Sequence, residues 1–291
     1  MKRLPPWIRS TLKTDAGFGG VQDLLAANDL HTVCKSAHCP NRHECWNAGT
    51  ATFMILGDVC TRNCSFCAVA HGEGGELDPG EADALVEAAR AMELRHVVIT
   101  SVTRDDLPDG GSSVFAEVIG KLHAAIEGVS VEVLTPDFKG CREDLDRVLD
   151  AGPDVFNHNL ETVRRVQADV RPQAGYDRSL AVLKHAAARP GQIIVKSGLM
   201  VGLGETREEL REAMRDLRAA GCQCLTLGQY LAPSRQHYPV QRFVSPEEFE
   251  EYRSWAEEDG FLAIASGPLV RSSYKADEML RTVRSRRAEE G

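Results

Sequence analysis

From Thr52 onward the chain alternates between short β-rich runs and amphipathic helical runs, and that alternation most narrows what it can fold into. Strands are expected at Thr52–Gly57, His96–Ser101, Val129–Thr135, Asp154–Asn157, Ile193–Met200 and Cys224–Gly228, with a further terminal one at Phe261–Ser266. Between them, Glu81–Leu94, Val114–Ile126, Glu143–Ala151, Ser179–Ala188, Glu208–Ala220 and Pro246–Gly260 carry apolar residues at helical spacing. Gly152 and Gly221 stand where helices stop. A strand followed by a helix, six times over, calls for parallel strands joined by right-handed crossovers. Periodicity does not separate an open doubly wound sheet from an incomplete barrel. In either, a site lies at the carboxyl ends of the strands. Polar residues collect there: Asp58, Ser101 to Asp106, Asp137, Asn157 to Glu161, and Gln229 with Tyr230.

Two segments fall outside the alternation. Residues 1–50 are read as an amino-terminal extension with one helix around Val21–Leu30, and residues 268–291 as a tail containing Arg271-Ser272-Ser273-Tyr274. The alternating part, residues 51–267, is read as the main domain. A chain of 291 residues with 43% hydrophobic content builds a core without disulfides. A net charge of −9 repels phosphate backbones, so nucleic acid is an unsuitable partner. No apolar run approaches a membrane span, and no targeting segment is recognised at the start. A cytoplasmic protein is expected, with no membrane partner and with its thiols reduced.

Six of the nine cysteines lie between Cys34 and Cys67. The run Cys60-Thr61-Arg62-Asn63-Cys64-Ser65-Phe66-Cys67 follows the first strand. Three thiolates this close can wrap a 4Fe-4S cluster and leave one iron open, where a cluster ordinarily takes four cysteines. Zinc would want Cys-x2-Cys pairs and a fourth ligand. Cys34, Cys39 and Cys45 form a second triple at longer spacing. That triple reads either as a zinc knuckle completed by His38 or His43, or as a second cluster. Cys141, Cys222 and Cys224 have no ligand spacing and read as buried core thiols.

The spacing of Cys60, Cys64 and Cys67, with an aromatic before the last, resembles the radical S-adenosylmethionine superfamily. The Cys34/Cys39/Cys45 triple, Trp46-Asn47 and Arg271-Ser272-Ser273-Tyr274 resemble the lipoyl synthase family in particular. So do Phe156 to Val163, Lys196 to Glu205, Val97 to Gly111 and Leu227 to Leu231. The resemblance implies an α/β fold, an incomplete (β/α)6 TIM-type barrel. It implies a sulfurtransferase with two 4Fe-4S clusters and S-adenosyl-L-methionine. Cys60, Cys64 and Cys67 would hold the radical cluster, and Cys34, Cys39, Cys45 and Ser273 an auxiliary one. Two sulfur atoms from the auxiliary cluster would enter C6 and C8 of an octanoyl chain on a carrier lysine. The implied partners are octanoylated lipoyl carrier domains of 2-oxoacid dehydrogenase subunits and the glycine cleavage H protein. An electron donor such as ferredoxin or flavodoxin is also implied. Biotin synthase, the nearest rival chemistry, lacks the early triple and the serine-bearing tail. A non-catalytic iron–sulfur or zinc protein would need no polar residues at the strand ends.

Six further residues are candidates for cofactor contacts. Asn157 and Glu161 end the fourth strand, and Ser101 the second. Lys196 and Met200 share one face of the fifth strand, where Lys196 meets either the cofactor carboxylate or a carboxylate of the barrel. Arg171, ahead of Pro172, reads either as a carboxylate contact or as an exposed salt bridge. Arg281, Arg284, Arg286 and Arg287 read as a solvated helix face, or else as a dock for an acidic carrier.

Overall fold

A computed structural model describes residues 4–9, 30–32, 39, 41 and 52–290. Their contacts divide the chain into two units, one formed by residues 10–63 and 68–154, the other by residues 1–9, 64–67 and 155–291. The helix expected around Val21–Leu30 lies outside the described residues up to position 29, as do Cys34 and Cys45.

In the first unit, β1 (His31–Thr32) runs antiparallel beside β2 (Thr52–Ile55). A small parallel pair, β3 (Val59–Cys60) and β4 (Ala70–His71), brackets the cysteine loop. Then come α1 (Glu81–Ala91), β5 (His96–Ser101), α2 (Ser112–Ala125), β6 (Ser130–Leu134) and α3 (Arg142–Asp150). β2, β5 and β6 pair in parallel. Their apolar residues are buried on both faces, as strands covered by crossover helices require. β2 ends in a turn in which Leu56 and Gly57 both take positive φ, at 69° and 83°. Glu81, the first residue of α1, holds that turn by accepting from the Leu56 N–H at 2.8 Å.

The second unit continues with β7 (Val155–Asn157), α4 (Gln167–Val170), α5 (Tyr176–Ala187), β8 (Ile194–Val201), α6 (Arg207–Ala219), β9 (Cys224–Gln229), α7 (Pro246–Glu258), β10 (Ala263–Gly267) and α8 (Ala276–Glu290). β7 to β10 pair in parallel in chain order. α6 buries Leu210, Ala213, Met214 and Leu217, one apolar stripe at helical spacing. Its start is fixed by a capping box between Thr206 and Glu209, and that of α7 by Ser245 and Glu248. Gly152 and Gly221 follow α3 and α6 in left-handed backbone, as their positions predicted.

α8 was not foreseen as a core element. Its Met279, Leu280 and Val283 join Val155, Ile194, Cys224 and Ala263, which lie at the first residues of β7, β8, β9 and β10. Arg287 then donates to the Gln192 carbonyl at 3.0 Å and to Gln223 Oε1 at 2.8 Å. Arg281, by contrast, is exposed and pairs with Asp277. Among the described residues, no helix is long and apolar enough to cross a membrane.

Candidate functional site

The loop that leaves β2 carries Cys60, Cys64 and Cys67, and it is hydrogen-bonded along its length. In the first unit, Thr61 donates to the Thr103 carbonyl through both its N–H and its hydroxyl, each at 2.9 Å. The Cys60 sulfur accepts two backbone N–H groups, from Arg62 at 3.4 Å and from Thr103 at 3.3 Å. The Arg62 guanidinium is buried, donates twice to Asp105 at 2.7 and 2.9 Å, and reaches Asp137 at 2.7 Å. Those carboxylates hold the guanidinium firmly protonated against the cost of its burial. Ser101, at the end of β5, keeps a buried Oγ that meets no hydrogen-bond partner among the described residues.

In the second unit, the Ser65 hydroxyl donates to the Asp169 carbonyl at 2.8 Å, and its N–H to the Val170 carbonyl at 3.0 Å. Tyr238 N–H donates to the Ser65 carbonyl at 2.8 Å. His237 reaches the Cys67 carbonyl through Nε2 at 3.0 Å. A carbonyl only accepts, so Nε2 carries the proton and Nδ1 accepts from the Ser234 hydroxyl at 2.8 Å. Cys64, Cys67 and Cys60 are all half-buried. Among the described residues no three His, Cys, Asp or Glu side chains crowd together as around one metal ion. A cubane, with a separate iron for each thiolate, does not require them to.

The segment after β7 explains its polar sequence residue by residue. His158 bonds Ser179 on α5 at 2.9 Å. The Ser197 hydroxyl donates to the His158 carbonyl and accepts from Leu160 N–H, at 2.9 and 3.1 Å. Glu161 is stitched to β8 by its N–H to the Gly198 carbonyl and its carbonyl to Met200 N–H, at 2.9 and 2.8 Å. It pays with a φ of 70°, a strain of about 1–3 kcal/mol for a non-glycine residue. Its carboxylate accepts from Asn159 Nδ2 at 3.1 Å. Burial pushes that carboxyl up, against the pull of the Arg171 guanidinium and the Asn159 amide.

Leu56, Phe138, Lys139 and Glu161 are non-glycine residues with positive φ, and each sits just past the carboxyl end of a strand. Two further such residues among those described, Glu93 and Lys275, lie ahead of β5 and α8, so most but not all of the strained backbone gathers at the strand ends that the alternation pointed to.

The candidates separate as follows. Asn157 and Lys196 are fully buried, and Met200 is half-buried on the same face of β8 as Lys196. Gly198 lies between those two, and a Cβ there would sit 2.6 Å from Thr226 Oγ1 and 2.9 Å from Asn159 Oδ1. Asn159 Oδ1 is buried without a hydrogen-bond partner among the described residues. Arg171 is no exposed salt bridge. It is buried and donates to the Asn159 and Leu160 carbonyls at 2.9 and 3.2 Å, so it shapes the segment that carries Glu161. Gln229 is consumed by structure, since the two N–H groups of Nε2 lie among the Val201, Tyr230 and Arg242 carbonyls at 3.0–3.1 Å and Oε1 accepts from Val244 N–H. Cys222 and Cys224 are buried as expected. Cys141 is not a core thiol: it is half-buried ahead of α3 and donates to Glu143 at 3.3 Å. Ser273 is half-buried in the turn before α8, and Cys39 is half-buried. Arg62 and His237 went unread in the sequence, although Arg62 stands inside the cysteine motif itself.

Residues 54–217 match the family model of the radical SAM superfamily. The chain is 51% identical over 280 residues to a lipoyl synthase of Rubrobacter xylanophilus, covering 96% of this chain and 87% of that one. It is 52% identical over 291 residues to a lipoyl synthase of Symbiobacterium thermophilum, covering 100% and 91%. The crystal structure of methylornithine synthase, 13% identical, superposes with a TM-score of 0.52 over 96% of this chain and 90% of that one. That likeness and the family match show the α/β partial-barrel fold.

Proposed function

The chain belongs to the lipoyl synthase family of the radical S-adenosylmethionine superfamily, and from that premise we propose which residues carry its reaction and where the sulfur comes from. The enzyme inserts two sulfur atoms at C6 and C8 of a protein-bound octanoyl-lysine, using a 4Fe-4S cluster and S-adenosylmethionine. When bound, these two groups supply the radical that removes hydrogen atoms no base can take.

Cys60, Cys64 and Cys67 hold the radical cluster. The observation that carries this reading is the loop that bears them, three thiols long past β2 with its backbone pinned by Thr61, Ser65, Tyr238 and His237. The donor set fits: three sulfurs leave one iron open, and N–H groups already face the Cys60 sulfur. In the second unit the cofactor's amino group would be met by Oδ1 of Asn159, buried without a hydrogen-bond partner among the described residues, and by the carboxylate of Glu161. In the first unit Ser101 Oγ, likewise buried without a partner among the described residues, is a further candidate contact. Gly198 keeps open the space beside Asn159 that a side chain would fill. Within the second unit Asn157, at the end of β7, is the register partner of Lys196, Met200 lies near the end of β8, and Arg171 fixes the backbone of Asn159 and Leu160.

Residues 1–50 bring the auxiliary cluster through Cys34, Cys39 and Cys45, with Ser273 of the 268–291 tail as the fourth ligand. That cluster is the source of both sulfurs. Three cysteines for four irons, and an oxygen donor that iron holds less firmly than thiolate, support the assignment. The acyl chain arrives on a lipoyl carrier domain of a 2-oxoacid dehydrogenase or on the glycine cleavage H protein, and electrons come from a ferredoxin or flavodoxin.

Mass spectrometry of an octanoylated carrier peptide, after anaerobic incubation with reductant and S-adenosylmethionine, tests the whole reading through the mass of two added sulfurs. Replacing Cys34, Cys39 and Cys45 together by Ala is expected to halve bound iron and sulfide, keep 5′-deoxyadenosine release and abolish sulfur insertion. Lipoyl product from that variant would refute the division of labour.

A further inference from the structure

We propose that Arg62 is a positioning residue for the iron–sulfur loop: clamped by Asp105 and Asp137, it keeps two backbone N–H donors on the sulfur of Cys60. The inference rests on the reading of Cys60 as a cluster ligand. The guanidinium spends three hydrogen bonds on two carboxylates, and both it and Asp137 are buried. A planar fork fits that arrangement, whereas an ammonium, a point charge, does not reproduce it.

The clamp ties together two short stretches. Thr61 and Arg62 lie on one, Thr103 and Asp105 on the other. Asp105 N–H donates to the Thr61 hydroxyl at 2.9 Å, so each stretch fixes the backbone of its neighbour. The two N–H groups that face the Cys60 sulfur come one from each stretch. Asp137 is itself held in place by strained backbone. Its Oδ1 accepts from Lys139 N–H at 3.0 Å as well as from Arg62, across a turn in which Phe138 and Lys139 both take positive φ. Lys139 Nζ donates to the Asp105 carbonyl at 3.0 Å, closing the circuit. Donors on a ligand sulfur withdraw charge from a cluster and favour its reduced state, so their placement sets how readily it accepts an electron.

The test uses the full chain with Cys34, Cys39 and Cys45 replaced by Ala, so that a single cluster is observed, in a potentiometric titration followed by electron paramagnetic resonance. Arg62→Lys is expected to lower the ratio of reduced to oxidised cluster at a fixed potential about tenfold, which for one electron is about 59 mV. Iron should also pass faster to a chelator. Asp137→Asn should shift both readouts the same way, by less. An Arg62→Lys variant with the parent potential and the parent rate of iron loss overturns the proposal. Should that variant take up no cluster, Asp137→Asn decides, and a parent potential there overturns it equally. In the same background, Cys60→Ala with an undiminished cluster would instead overturn the ligand assignment on which the clamp depends.

Discussion

Glu161 shows how much of the site hangs on one residue. Its backbone is forced into left-handed φ so that β8 can hold it, and its carboxylate accepts from Asn159 Nδ2. Because its folded pKa lies above the ordinary 4.5, the native chain binds more protons than the unfolded one just above that pH. Its contribution to stability is therefore present below about 4.5 and lost as the pH rises through the folded value. Glu161→Gln is expected to be more stable than the wild type at pH 8 than at pH 5, by denaturant titration of the cluster-free chain. It should also bind S-adenosylmethionine about tenfold more weakly, the worth of a charged hydrogen bond. Ser273 makes a second case. Ser273→Ala should retain cofactor cleavage and lose most product, while Ser272→Ala behaves normally; the reverse pattern in Mössbauer spectra and product assays would move the ligand by one position. The cysteines were legible because ligand spacing is local. Arg62 was not, because its carboxylates lie 43 and 75 positions away on other strand ends.

At the scale of elements, α8 departs most from its sequence. Arg281, Arg284, Arg286 and Arg287 dominate its appearance and suggest a solvated face, which Arg281 bears out and Arg287, bonded to the Gln192 carbonyl and Gln223, does not. Three apolar residues on the other side nonetheless complete the layer at the start of β7 to β10. Leu280→Ala should cost about 3 kcal/mol in urea denaturation, whereas Arg281→Ala should stay within about 0.5 kcal/mol. A loss as small at Leu280 as at Arg281 would mean that the helix is not part of that core. Apart from the four-residue α4, which was not foreseen, the helices between the strands were readable to within a few residues because apolar stripe, cap and stop signal agree: Thr206 opens α6 and Gly221 follows it.

For the molecule as a whole, the alternation was enough to foresee seven parallel strands and the end at which the polar residues gather. It did not reveal that contacts divide the chain after Asp154, nor that Cys64 to Cys67 group with residues 155–291. Contact density depends on residues distant in sequence and leaves no mark on local periodicity. β8 carries a consequence for how such a gene can vary. Ile194, Lys196, Gly198 and Met200 share a face because side chains alternate along a strand, and a slip of one residue exchanges the two faces. An in-frame loss of one codon at the start of this strand would move a buried lysine and the glycine that leaves room beside Asn159 to the opposite, equally buried face, all in one event. Such a deletion should yield insoluble protein on expression, while loss of one codon in the exposed stretch 188–192 should leave a folded chain. Heredity can therefore edit this strand by substitution but not by length.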